Sequence, residues 1–223
     1  MTAFIEPEFN KIALELVKAL ALPFILKASR LKISVDNTTI NRLQSIDGQP
    51  AVLMINHTDR FDPVAIAALS KRSDCDFHYI ASRSIFEGGT ALKKWLLKKC
   101  GVYSVIRGHP PDEQSKEKTI SLIAEGERSL LMFPEGDVTG RDDYVYPLKD
   151  DGLRNILTAQ KRIVDKKGKQ SLKVLPISIF YEVSDSSTGL MHQSVDRLEA
   201  ALGLTSINGN LEERVSRVMN QFI

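Results

Sequence analysis

Short apolar runs alternate with amphipathic stretches along the chain beyond residue 30. The apolar runs are rich in branched and aromatic side chains and are flanked by turn-forming residues, a pattern typical of strands. The predicted strands are Leu31–Val35, Ala51–Ile55, Phe77–Ala81, Val102–Ile106, Ser129–Phe133 and Lys173–Tyr181. The predicted helices are Pro63–Lys71, Thr90–Lys99, Ser115–Gly126, Gly152–Asp165 and Leu211–Phe222. This alternation predicts an α/β fold with a central mixed, partly parallel sheet that is flanked by helices.

The chain begins differently, and we predict an N-terminal amphipathic helical segment at residues 1–30 ahead of a single domain at residues 31–223. Ile12–Leu26 is mostly apolar, but Glu15, Lys18 and Pro23 interrupt it, whereas a membrane-spanning helix needs about 20 nearly uncharged residues. A secretory signal is not expected either, because acidic residues stand where its basic start should be. Pro23 predicts a break or kink between two short helices.

Two interpretations of this N-terminal segment fit its sequence. The helices either pack against the core or lie in a membrane interface, with Lys27, Arg30 and Lys32 facing lipid phosphates. The stretch Thr90–Gly101 leaves the same choice open, because its four lysines flank Trp95 and two leucines. It is either an interfacial helix or a core helix with a solvated lysine face.

The composition is that of an ordinary globular protein, with 43% hydrophobic and 26% charged residues. A formal net charge of +2 gives no sign of the basic surface that nucleic-acid binding requires. Cys75 and Cys100 are the two cysteines, and neither belongs to a CxxC pair or a Cys/His cluster. We therefore expect a reducing compartment, no metal site and no nucleic-acid partner.

The stretch Asn56-His57-Thr-Asp-Arg-Phe-Asp62-Pro63 follows one of the predicted strands and carries the first candidate chemistry. Asp62 before Pro63 predicts a helix start, with Asp62 as the N-cap, so His57 lies in the loop between strand and helix. The carboxyl ends of strands in an open α/β sheet are where ligands bind. A histidine oriented there by a carboxylate is suited to removing a proton from a hydroxyl. On this motif alone, a catalytic pair and an ordinary polar loop both remain open.

Two further strand ends carry candidate residues. Glu135 and Gly136 follow Phe133-Pro134 at the end of another predicted strand, where a plain Pro/Gly turn with a solvated glutamate is the alternative. Arg107 ends the strand that lies between these two motifs in the sequence. An arginine there is suited to a phosphate, because its fork makes bidentate, charge-assisted hydrogen bonds.

The order NH-x4-D, G-x5-R, FPEG and then an apolar strand with proline resembles the glycerolipid acyltransferases, the family that includes 1-acylglycerol-3-phosphate acyltransferase. The resemblance covers roughly residues 33–181. It implies that His57 is the general base and Asp62 its orienting partner. It also implies that Arg107 binds the acceptor's phosphate, and that Glu135 and Gly136 line the acceptor site.

Two departures from the family pattern leave the identity of the acceptor open. Family members commonly have serine or threonine two residues after the histidine, where this chain has Asp59. They also commonly continue FPEG with Thr-Arg-Ser, whereas here Gly136 is followed by Asp-Val-Thr-Gly-Arg141. Arg141 is the candidate for the missing arginine's role in substrate binding.

The resemblance implies an enzyme that moves a fatty acyl chain from acyl-CoA or acyl carrier protein to a hydroxyl of a lysophospholipid. Lysophosphatidic acid is the favoured acceptor, and glycerol 3-phosphate or another lysolipid is the close alternative. A thioester hydrolase and a non-catalytic lipid-binding relative are the alternatives from other classes. No cofactor beyond the thioester co-substrate is expected, and we expect a cytoplasmic protein bound peripherally to the inner face of the membrane.

Overall fold

The computed structural model describes residues 4–105, 112–168, 170–205 and 209–222. The chain forms two compact units that meet in the sequence at Ile179 and Phe180. The first unit contains the whole sheet. The second contains two helices, in which buried Arg214 donates hydrogen bonds to Glu199 and Asp196.

A five-stranded sheet forms the centre of the first unit. Its strands are β1 Ala51–Ile55, β2 Phe77–Ser82, β3 Val102–Val105, β4 Ser129–Met132 and β5 Lys173–Ile177, in the spatial order β3-β2-β4-β1-β5. Every strand pair in the described residues is parallel. The predicted α/β class is therefore confirmed, and the sheet is parallel instead of mixed. All its carboxyl ends share one edge.

Helices connect the strands, as parallel pairing requires. The connecting helices are α4 Asp62–Ser73, α5 Arg83–Glu87, α6 Ala91–Lys99, α7 Glu113–Glu125 and α8 Asp150–Lys167. Ahead of β1 lie α1 Lys11–Leu16, α2 Leu22–Ala28 and α3 Asn37–Ile46, and after β5 lie α9 Asp185–Ala201 and α10 Leu211–Met219. The sequence patterns did not predict α3, α5 or α9. The strand prediction at Leu31–Val35 is wrong, because these residues alternate in exposure but join no strand of the sheet.

The two faces of the sheet carry separate hydrophobic clusters, because successive side chains of a strand point to opposite faces. Val52 and Leu130 belong to the cluster that includes Ile120 and Ile123 of α7. Leu53 and Leu131 belong to the cluster that includes Ile66 of α4. Strands covered on both faces read as continuous apolar runs, and for this reason they were recognisable in the sequence.

The N-terminal segment is helical from Lys11 to Ala28. Between α1 and α2 lies a π-helical turn, Val17–Ala21, in which the backbone N–H of Leu22 donates to Val17 O. Pro23 stands in the first turn of α2, where its missing N–H is tolerated. The sequence predicted a break or kink between two short helices. The structure instead joins α1 and α2 through a wider helical turn. Among the described residues, no helix is both long and apolar enough to cross a membrane.

This segment has an inner and an outer side. Leu14 and Leu22 are buried, and α1 packs against α6. An apolar stripe faces outward at intervals of four residues, and its members are Ile12, Leu16, Leu20 and Phe24. The inner side packs against the core, as one interpretation predicts. The outer side carries exposed apolar side chains, and its position in a membrane interface stays a prediction. The boundary predicted at residue 30 remains a prediction.

Candidate active site

The register of the sheet brings the candidate residues to one level at its carboxyl edge. Met54 of β1 pairs with Met132 of β4, and the same offset carried onward brings His57 level with Glu135. The backbone N–H of His57 donates to Glu135 Oε1 at 3.1 Å. The two main motifs, separated in the sequence, therefore meet directly.

His57 and Asp62 form a hydrogen-bonded pair, with Nδ1 2.8 Å from Asp62 Oδ2. The Asp62 side chain is fully buried, whereas the His57 side chain is 17% exposed. A carboxylate accepts hydrogen bonds, so it favours the tautomer in which Nδ1 carries the proton and Nε2 keeps a free lone pair. Within the described residues, Nε2 has no hydrogen-bond partner. This is the arrangement that a general base needs.

The turn between the two residues explains how a five-residue separation becomes a contact. The N-cap of α4 is Phe61, so the prediction of Asp62 as the N-cap is wrong; Asp62 is the first helical residue. Asp59 Oδ1 accepts from the backbone N–H of Phe61 at 2.9 Å, and the Asp59 N–H donates to Asp62 Oδ2 at 3.0 Å. The family's Ser/Thr position is thus occupied by a carboxylate that supports the turn.

Asn56 fixes the other side of the His57 loop. Its side-chain carbonyl accepts from Ile179 N at 2.7 Å, and its amide donates to Ile179 O at 2.9 Å. The amide also donates to Thr58 Oγ1. The end of β1 is therefore tied to the segment that follows β5, which the sequence alone did not reveal.

Glu135 is buried, and its carboxylate supports the neighbouring loops. Besides the bond to His57, Oε2 accepts from the backbone N–H of Tyr146 at 3.4 Å. Gly136 has φ +81°, and a Cβ there would lie 2.9 Å from Lys149 Cε. Glycine is favoured at this position for its backbone conformation. Lining of the acceptor site by Glu135 and Gly136 stays a prediction.

The loop after Gly136 also holds His57. The backbone N–H of Thr139 donates to His57 O at 2.8 Å, and Gly140 N–H donates to Thr58 O at 3.0 Å. Beyond it, Arg141 makes a bidentate pair with Asp143, whose pKa is lowered by that hydrogen bond. Both side chains are exposed to solvent, so Arg141 has to exchange Asp143 for the substrate in order to bind it.

The predicted phosphate ligand Arg107 lies outside the described residues. The structure instead draws attention to Arg83, which the sequence analysis missed. It follows β2 directly, at the same carboxyl edge of the sheet at which Glu135 follows β4. Its Nε donates to Glu87, but Nη1 is buried without a hydrogen-bond partner among the described residues. A buried guanidinium N–H without such a partner is uncommon, which makes Arg83 a candidate ligand for an anionic group of a substrate.

Comparison with known proteins agrees with this geometry. A model of the family described as Acyltransferase matches residues 32–179, which include β1 to β5 and every candidate residue named above. The chain belongs to the Acyltransferase family. The matched region of the chain ends where the first compact unit ends, so the second unit lies beyond it.

One curated relative adds detail about the family. A 1-acyl-sn-glycerol-3-phosphate acyltransferase from Streptococcus pneumoniae (strain ATCC BAA-255 / R6) is 28% identical over 91 residues. The alignment covers 41% of this chain and 33% of the relative. The chain thus matches about a third of the relative's length. No solved structure matches the chain significantly.

Proposed function

We propose that this protein transfers a fatty acyl chain from an acyl thioester to a hydroxyl of a glycerol-phosphate lipid, with lysophosphatidic acid as the favoured acceptor. The His57–Asp62 pair at the carboxyl edge of the sheet carries this proposal, in a chain of the Acyltransferase family. Glycerol 3-phosphate or another lysolipid is the alternative acceptor. The thioester is either acyl-CoA or acyl carrier protein.

The chemistry requires a base but no covalent enzyme nucleophile, because a thioester is already activated. His57 Nε2 takes the proton of the acceptor's hydroxyl as that oxygen attacks the thioester carbonyl carbon. The C–O bond forms, the C–S bond of the tetrahedral intermediate breaks, and the leaving thiolate receives the proton from the imidazolium. Asp62 holds the tautomer and stabilises the imidazolium between these two proton transfers.

The acceptor's phosphate needs cationic partners near this base. Arg107 remains the proposed ligand from the sequence, and Arg83 is a second one from its buried and unsatisfied Nη1. The relative named as a 1-acyl-sn-glycerol-3-phosphate acyltransferase supports a phosphate-bearing acceptor. Charge-assisted pairs of arginine with phosphate are short and directional, so they would also orient the hydroxyl toward His57.

Release of free thiol from acyl-CoA or acyl carrier protein tests the proposal directly. We expect release that depends on lysophosphatidic acid and produces phosphatidic acid, and that is lost in His57→Ala. Release without any acceptor would establish a hydrolase instead. Binding of lipid without release from either donor would identify a non-catalytic relative, and the proposed activity would then be wrong.

Peripheral association with the inner face of the cytoplasmic membrane is part of the proposal, because the acceptor is a lipid. The outward apolar stripe on α1 and α2 is followed by Lys27, Arg30 and Lys32, and α6 exposes Leu92 and Trp95 beside further lysines. Apolar side chains with basic neighbours are suited to an anionic leaflet.

Vesicle flotation tests this surface. We expect the protein to bind vesicles that contain anionic phospholipid, more weakly as salt rises. The double variant Leu20→Asp and Phe24→Asp should bind at least about 10-fold more weakly, because burying each such side chain contributes about 1.5–3 kcal/mol. Leu157→Asp, an exposed leucine of α8, is the matched control. Equal binding by all three proteins would contradict the interfacial role of the stripe.

A further inference from the structure

Phe133 covers one face of the His57 ring. The two ring centroids are 4.0 Å apart and the planes are inclined by 16°, so the rings are stacked in parallel. Phe133 follows β4 and its side chain also packs against the hydrophobic cluster around Leu53 and Leu131. The cluster therefore anchors the phenyl ring, and the phenyl ring in turn limits the orientations open to the imidazole.

The charged groups around His57 contact different atoms of the loop that carries it. Asp62 bonds Nδ1 in the plane of the ring, Glu135 bonds the backbone N–H, and Asp59 is engaged by the turn before α4. Phe133 is the aromatic group that meets the ring face. An aromatic face carries partial negative charge and attracts a cation placed over it.

We infer that Phe133 is a positioning residue for the acyl transfer, which fixes the His57 ring by stacking and favours its imidazolium form during the reaction. The inference rests on the proposed function and deepens it by adding a residue that acts through His57. The imidazolium exists between removal of the acceptor's proton and protonation of the leaving thiolate. An attraction that appears with that charge stabilises the transition state more than the ground state, so it raises kcat.

Three substitutions separate the aromatic contribution from plain packing. Phe133→Leu and Phe133→Met keep an apolar side chain but remove the aromatic face, whereas Phe133→Tyr keeps it. With acyl-CoA and lysophosphatidic acid, we expect kcat to fall by about 2- to 30-fold in the Leu and Met variants, the range of a cation–π contribution. The KM for each substrate should hold. The Tyr variant should retain most of the wild-type kcat, and thermal unfolding identifies any variant that is simply misfolded.

Proton NMR of the imidazole provides a second measurement that needs no turnover. Signals of His57, assigned by their absence in His57→Ala, should carry an upfield ring-current displacement in the wild type and in Phe133→Tyr. That displacement should disappear in Phe133→Leu, because this variant lacks the aromatic ring that produces it.

The outcomes separate this inference from the proposed function. An unchanged kcat in folded Leu and Met variants would overturn it, as would equal loss in the Leu, Met and Tyr variants. A wild type without acyl transfer would refute the proposed function alone. The ring-current displacement would then still decide whether Phe133 stacks on the His57 ring.

Discussion

Two carboxylates, the fully buried Asp62 and the partly buried Asp76, lie at opposite ends of the strands and each pair with a basic side chain. The two bases differ in whether a hydrogen-bonding position remains unused. Before β2, at the amino edge, Lys18 Nζ donates to Asp76 at 2.7 Å and to Glu15 at 3.1 Å, and its side chain is 3% exposed. At the carboxyl edge, His57 uses one ring nitrogen on Asp62 and keeps the other without a partner in the described residues.

The comparison shows that a structural pair and a reactive pair differ in how many hydrogen-bonding positions of the base are already used. Burial lowers the pKa of Lys18, but the hydrogen bonds to Asp76 and Glu15 outweigh burial and the pKa is raised above 10.5. Its contribution to stability is therefore fully present below pH 10.5 and is lost as the pH rises further. This ion pair ties the π-helical turn to the sheet. The His57 pair instead retains a lone pair with which to accept a proton.

The largest effect is expected at the reactive pair. His57→Ala should reduce kcat by about 10²- to 10⁴-fold, because a positioned base contributes that much. The midpoint of thermal unfolding should fall only modestly, since the His57 ring is partly exposed and the buried Asp62 carboxylate retains the Asp59 N–H. Measurement of both quantities on the same preparation checks the comparison. Near-normal turnover in the folded variant would remove His57 from the mechanism.

The Lys18–Asp76 pair should show the reverse behaviour, a loss of stability without a loss of activity. Lys18→Met leaves the Asp76 carboxylate without its nearest cation, and removal of one partner of a buried pair typically costs about 3–5 kcal/mol. Chemical denaturation should report this loss, while kcat per folded molecule stays at the wild-type value. Lys11→Met is the matched control, because Lys11 is exposed and 3.8 Å from the same carboxylate. Surface pairs contribute only about 0–1 kcal/mol. A large kcat loss in Lys18→Met would contradict the assignment.

Arg83 resembles His57 more than Lys18, since one of its donors is unused. Arg83→Ala should raise the acceptor's KM by about 10- to 150-fold, the equivalent of a charge-assisted hydrogen bond of about 1.5–3 kcal/mol. The donor's KM should not move. Glu87→Gln removes the negative charge opposite Nε but leaves the guanidinium in place, so its acceptor KM should remain near the wild-type value. Equal effects of the two substitutions would identify a structural ion pair instead.

The smallest effect concerns His78, which is buried in β2 and has a pKa lowered chiefly by burial. The unfolded chain takes up a proton near pH 6.5, whereas the folded chain resists it. The free energy of unfolding should therefore fall below pH 6.5, by at most about 1.4 kcal/mol per pH unit. His78→Gln should flatten this slope in denaturant titrations between pH 5 and pH 7. An unchanged slope would assign the acid sensitivity to another group.

The sequence predicted the parts of this fold that depend on continuous burial. Ala51–Ile55 was predicted with the bounds that the structure has, because a strand buried on both faces is an unbroken apolar run. Leu31–Val35 was predicted wrongly. Alternation of apolar and polar residues indicates that one side of a segment is buried, but it does not indicate whether a neighbouring strand is present to pair with. The role of Asp59 depends on turn geometry, which the sequence left open.

The candidate site was partly predictable for a similar reason. His57 and Glu135 each follow a buried strand, and parallel strands bring such positions to one edge. Arg83 follows the predicted strand Phe77–Ala81 in the same way, and that signal would have revealed it. Its buried Nη1 and the stack of Phe133 on His57 depend on side-chain packing, so neither could be inferred from the sequence.

The position of β4 between β2 and β1 has a consequence for synthesis on the ribosome. A nascent chain that has reached Glu125 contains both outer neighbours of β4 but not β4 itself. Until Ser129–Met132 emerges, β1 and β2 each present an unpaired strand edge, the kind of surface that recruits other chains. His57 is therefore synthesised early, but it contacts Glu135 only after β4 has inserted between β1 and β2. Chaperone binding during synthesis should be concentrated in that interval.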